Sequence, residues 1–189
     1  NQYLVRVQTS SSLQVPYQIT TQKHFMESEM TSQLVLGLYY GILIALLFYN
    51  FILFLTIREK SFLFYCGYLT FYAIFQASHN GFGVFFINSV GFWLTNQILP
   101  ISIWLSLAFI FVFTESFLKT SLGNKAKSFL RSLAFLSFSI AILSVMIPYQ
   151  YTIFAAALFC FVMTFSVIFV AIHALHKGFR PAKYFLMAW

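Results

Sequence analysis

Residues 34–57 read LVLGLYYGILIALLFYNFILFLTI, twenty-four positions without a charge, and Arg58-Glu59-Lys60 follow at once. At about 1.5 Å per residue such a helix is about 36 Å long, enough for a bilayer core about 30 Å thick. Apolar runs recur at 61–79, 98–118, 129–147 and 151–175. Another begins near Pro181, where proline suits a first helical turn. The pattern predicts an all-α polytopic membrane bundle over residues 34–189. It has five full spans and the start of a sixth.

The connections between these runs alternate in chemistry. Arg58-Glu59-Lys60 is basic, residues 80–97 contain no Lys or Arg, and Lys119 to Arg131 is basic. Pro148-Tyr149-Gln150-Tyr151 is uncharged, and Lys177 to Lys183 is basic again. Cytoplasmic loops carry the excess of Lys and Arg. The basic connections therefore face the cytoplasm and the N-terminal segment lies outside. In a bacterium this places the bundle in the inner membrane with its N-terminal segment in the periplasm. A seventh span is then needed to return a C-terminal effector to the cytoplasm.

Composition narrows the function classes. Hydrophobic residues make up 60% of the chain and charged residues 8%, far from the roughly 25% charge of soluble domains. The net charge of +7 could suggest nucleic acid, but nine of the eleven basic residues sit at the ends of apolar runs or between them. The charge is thus an orientation signal and implies the lipid bilayer as partner, with no nucleic acid. Cys66 and Cys160 lie within apolar runs, where a disulfide framework is not expected.

Before the first span, Tyr3, Val5 and Val7 alternate with polar residues, and Leu13, Val15, Tyr17 and Ile19 repeat the pattern. Residues 1–21 therefore read as the end of an extracytoplasmic β module. Residues 22–33 are polar and read as a juxtamembrane lead-in helix. The chain opens at Asn1 in strand-like sequence and stops at Trp189 inside a rising hydrophobic pattern. It reads as a piece of a longer protein with soluble parts on both sides.

Three sets of residues stand out within the spans. Gly37, Gly41 and Ala45 are spaced by four, a face that lets helix backbones approach closely. That face serves packing within one bundle or dimerisation. Tyr65, Tyr68, Tyr72, Gln76 and His79 follow spacings of three, four, four and three and fall in one narrow sector of the second span. They form a polar seam that fixes helix register, or a ligand cavity or switching interface. Asn50, on the first span, is expected to point into the bundle and find a hydrogen bond there. Glu115, near the cytoplasmic end of the third span, is expected to pair with Arg58 or Arg131. Ala156, Cys160, Thr164, Ala171 and Ala174 mark a close-packing side of the fifth span.

Catalytic chemistry finds no foothold. No acidic residue lies at mid-membrane depth, where proton and cation pumps commonly keep one. His24, His79, His173 and His176 do not form a metal set. No phosphate-binding glycine loop, nucleophile elbow or zinc-protease motif is present. No catalytic residue, metal or cofactor is expected in this segment.

Four motifs carry a resemblance. GLYYG at Gly37 to Gly41 is followed by Tyr49-Asn50 and Arg58; Asn80-Gly81 follows the second span; FTESFL runs from Phe113 to Leu118; GFRPAKYFLMAW runs from Gly178 to Trp189. In this order they resemble the bacterial seven-transmembrane receptors with diverse intracellular signalling modules, from residue 34 to the end. The resemblance implies seven spans, a preceding extracellular jelly-roll module that binds carbohydrates or related small ligands, and a C-terminal effector. In such receptors the effector is a histidine kinase, diguanylate cyclase, phosphatase or adenylate cyclase, and it implies a homodimer. The expected function is the membrane core of a sensory receptor. A secondary transporter is the alternative, but it calls for an inverted repeat or spans broken at the midplane. Pro100 reads as near a helix end, and Pro148 and Pro181 as in connections. An intramembrane enzyme needs a buried nucleophile with its base, or a metal cluster.

Overall fold

The computed structural model describes residues 21–81, 92–119 and 121–188, of which 92–96 and 188 by backbone alone. The strand-like segment expected at 1–20 lies outside these residues. Six helices follow in order: α1 (Gln22–Ile57), α2 (Lys60–His79), α3 (Phe92–Phe117), α4 (Asn124–Leu143), α5 (Tyr149–His176) and α6 (Pro181–Ala188). No strand occurs among the described residues. Helices α1, α4, α5 and the Gln97–Phe117 part of α3 are long and apolar enough to cross a membrane. The 20-residue α2 equals α4 in length but falls outside that set, its tyrosines, Gln76 and His79 lowering its hydropathy.

The chain forms two compact units, Asn1–Gly41 and Ile42–Trp189. In the first, the described part is the N-terminal portion of α1. Thr21 caps it, its Oγ1 accepting the His24 N–H at 3.4 Å. Lys23 and Glu27 stand one turn apart at 4.0 Å, an exposed pair that contributes little. The polar residues 22–33 and the apolar run after them are one uninterrupted helix.

In the second unit α3 is the hub: it packs against α2, α4 and α5, and α5 packs against α6. Lipid is as apolar as a leucine side chain, so close packing rather than escape from water brings such helices together. Small residues supply the fit. On α4, Leu130, Ala134, Ser137 and Ala141 are buried at spacings of four, three and four. On α5, Ala156, Val167, Val170, Ala171 and Ala174 are buried. Thr164, expected on that seam, is exposed and returns its hydroxyl to the Cys160 carbonyl at 2.9 Å. Toward one end of the bundle Phe111, Leu130, Val167 and Ala174 form a core. A second core joins Trp104, Leu107, Ala141 and Ala156, and the Trp104 indole donates to the Thr152 carbonyl at 3.3 Å.

Backbone and hydroxyl groups inside lipid need partners within the protein. The helices satisfy the first demand by construction. Hydroxyls meet the second by bonding back one turn: Thr70 to Cys66, Ser102 to Ile98, Thr114 to Ile110 and Ser137 to Leu133, all at 2.6–2.8 Å. Large apolar side chains such as Phe135, Phe165 and Phe169 point outward. A soluble protein would hide them, and a membrane solvates them.

Two boundaries differ from the sequence reading. α3 begins at Phe92, so Pro100 is inside a helix rather than near its end. Proline removes one backbone donor and presses on the preceding turn. Here it is fully buried, and the helix continues through it. α4 begins at Asn124, so Lys125 and Lys127 belong to its first turn instead of a loop. At the other end, Ser144 and Ile147 close onto Ile140 and Leu143 before Pro148, which stops helical continuation.

The turn into α6 explains GFRP at 178–181. Gly178 has φ +84°, a left-handed conformation that suits glycine. Its N–H bonds to Leu175 O at 2.9 Å and the Phe179 N–H bonds to Ala174 O at 3.2 Å, a complete Schellman cap on α5. Phe179 packs against the core, and Pro181 opens α6.

Candidate functional site

The α1–α2 turn is only Arg58 and Glu59. Arg58 takes φ +61°, and its N–H bonds to Phe54 O at 2.8 Å, capping α1. The chain can then double back so that α2 begins at Lys60. At the second position of α2, Ser61 is buried and its hydroxyl lies 3.0 Å from the Ser116 hydroxyl on α3. Farther along, a Cβ on Gly67 would stand 2.5 Å from the Phe109 ring, so only glycine lets the two helices sit this close. Cys66 joins the first two helices, its thiol directed at the Leu47 carbonyl at 3.6 Å.

This geometry opens a cavity of about 1050 Å³ at one end of the bundle. Asn50 lines it from α1, Ser61, Tyr65 and Tyr68 from α2, and Glu59 from the turn between them. Phe113, Ser116 and Phe117 line it from α3, and Pro181, Tyr184 and Phe185 from α6. Lys119 and Lys127 stand at it too, as does Phe179 from the α5–α6 turn. The three basic connections therefore meet at a single end, where Lys177 Nζ also lies 3.9 Å from the Cβ position of Gly123.

From the cavity an aromatic ladder climbs α2. Tyr65 and Tyr68 have ring centroids 5.9 Å apart, and Tyr68 stacks on Tyr72 at 5.8 Å. Phe75 extends the ladder, 6.3 Å from Tyr72 and 6.1 Å from the His79 ring. Tyr65 also meets Phe113 of α3 at 5.1 Å. All but His79 are half-buried. Phe75 was no part of the sequence reading, because an apolar ring carries no polar signal.

Of the remaining sequence candidates, Asn50, Tyr65 and Tyr68 share the cavity, whereas Tyr72, Gln76 and His79 do not line it. Asn50 Nδ2 donates to its own helix, to Leu46 O at 2.8 Å, rather than across the bundle. Glu115 binds Arg131 in a forked pair, Oε1 to Nη2 at 2.7 Å and Oε2 to Nε at 3.2 Å. Among the described residues Arg58 makes no ion pair. Gly37, Gly41 and Ala45 are exposed, and a Cβ at either glycine meets no atom within 4 Å. No three His, Cys, Asp or Glu residues among those described could hold a metal ion.

No curated protein and no solved structure matches the chain significantly. The sequence model described as 7TM diverse intracellular signalling matches residues 32–189, which takes in all six helices except the first turns of α1. With its apolar helices and membrane-solvated surface, this multi-pass membrane protein belongs to the 7TM diverse intracellular signalling family of sensory receptors.

Proposed function

We propose that the chain is the membrane core of a bacterial sensory receptor that carries an extracytoplasmic ligand signal to a cytoplasmic effector. Residues 1–21 are then the end of the sensing β module, residues 22–33 the lead-in, and residues 34–189 the bundle. The bundle sits in the inner membrane with the N-terminal segment periplasmic and the basic end cytoplasmic. α2 counts as a fifth full span, its polar residues facing the bundle. The ligand is a small molecule, with carbohydrates first among the classes to try. The effector is a histidine kinase or diguanylate cyclase working as a homodimer, and the bundle itself transmits without catalysing.

The observation that carries this reading is the half-buried aromatic and polar face of α2. It starts in the cavity at the basic end and climbs the helix to His79, with Tyr65 against α3. Stacked rings on one helix can slip past a neighbour as a unit, giving two packings of similar free energy. A ligand shifts such an equilibrium only by its differential affinity for the two states. The Gly37, Gly41 and Ala45 face offers a second close-approach surface for the same change, within the bundle or between copies.

Replacing Tyr68 and Tyr72 by Phe and Gln76 by Leu removes the polar tips and keeps the bulk. The triple variant should insert normally and lock the output at one level whatever the ligand concentration. An unaltered dose–response in the intact receptor would defeat the switching role of this face.

A further inference from the structure

We propose that the cavity between α2, α3 and α6 holds an anionic phospholipid, its phosphate against Lys119 and Lys127 and one acyl chain along Phe113, Phe117 and Phe185. The inference needs only the membrane placement of the bundle and stands apart from the signalling reading.

Four observations carry it. The cavity, at about 1050 Å³, is at the upper end of the roughly 300–1,000 Å³ of small-ligand pockets. Its charge is unbalanced: two lysines face one carboxylate, Glu59. Lys127 is half-buried and makes no ion pair among the described residues, so its charge is open to an anion at the cavity. Finally, the cations and the greasy wall are ordered along the bundle. Lys119 follows the end of α3, and Phe117 and Phe113 lie successively deeper on that helix. Phe185 stacks on Phe117 at 5.6 Å and meets Phe113 at 6.0 Å, making a continuous aromatic surface. A lipid has that same order, with charge at the interface and hydrocarbon below it. Free phosphate would use the lysines and leave the aromatic wall without a role. Basic pockets between membrane helices are physically suited to acidic head groups.

The test uses the intact protein in phosphatidylcholine nanodiscs. The probes are phosphatidylglycerol and phosphatidylcholine, each carrying a photoactivatable diazirine on one acyl chain, with labelled peptides mapped by mass spectrometry. The phosphatidylglycerol probe should label the Phe113–Phe117 and Phe185 peptides, and the phosphatidylcholine probe several-fold less. Lys119→Gln and Lys127→Gln should each cut that labelling about fivefold. Lys183→Gln, which lines neither the cavity nor the outer α4–α5 groove, should not. Labelling of the outer α4–α5 groove at Phe129, Phe165 and Phe169 reports folding and ordinary annular lipid, and should stay constant. Equal labelling by both probes overturns the proposal. So does displacement by excess inorganic phosphate, which marks a free-anion site. A wild-type protein labelled in the α4–α5 groove but not in the cavity also overturns it, since another stretch of protein then fills the space. The two wild-type probes decide the matter even if a variant misfolds.

Discussion

Gly67 sets how closely α2 and α3 can approach, Arg58 turns the chain from α1 into α2, and neither role is visible in sequence. Gly67 is the sole glycine of α2, yet its need arises from Phe109, remote in the chain. Gly67→Val should push the Phe109 ring aside and destabilise the protein by about 1–3 kcal/mol, as overpacking does. Thermal unfolding of the purified protein in detergent measures this. Arg58 signals orientation through its charge, and the sequence says nothing of its left-handed backbone. That conformation costs a side-chain-bearing residue about 1 kcal/mol, so Arg58→Gly should raise the unfolding midpoint although it deletes a charge. Glu115 was legible as a paired acid because a carboxylate near lipid needs a cation. The choice of Arg131 over Arg58 came from packing: α4 lies against α3 and brings Arg131 within 2.7 Å.

At the scale of the helix, the runs were legible where a charge or proline ends them, and less so where it does not. The third apolar run opens at 98 in sequence, but the helix begins at Phe92 and carries Pro100 inside it. Faces were harder still. In a soluble protein the apolar side of a helix is the buried side. In lipid both sides are apolar, and only small or polar residues mark the inside. Thus Ala156, Ala171 and Ala174 mark the inner side of α5, whereas Thr164, small and polar enough to suggest the same, is exposed. The buried α4 stripe of Leu130, Ala134, Ser137 and Ala141 carries too weak a small-residue signal to stand out in sequence. The distinction is measurable. Ala171→Leu, at a position with no exposed surface, should destabilise by about 1–3 kcal/mol. Phe169→Leu, 72% exposed, should leave the unfolding midpoint where it is.

For the whole molecule, the alternation of basic and uncharged connections already said that three turns share one side. The structure brings Glu59, Lys119, Lys127 and Phe179 around one cavity, which is that statement in space. The cavity itself was not legible, since it is assembled from four helices and the turns joining them. Tyr65, Tyr68 and Asn50 hinted at it only as polar residues lacking an obvious partner. A signal can run from outside to a cytoplasmic effector only if these cations face the cytoplasm. The direct test replaces Cys66 and Cys160 by Ala and introduces one cysteine at a time, Asn80→Cys or Lys125→Cys, in intact cells exposed to a membrane-impermeant maleimide. Asn80→Cys should be labelled from outside, and Lys125→Cys only after the membrane is permeabilised. Labelling of Lys125→Cys in unbroken cells would contradict the orientation, and with it the receptor reading built on it.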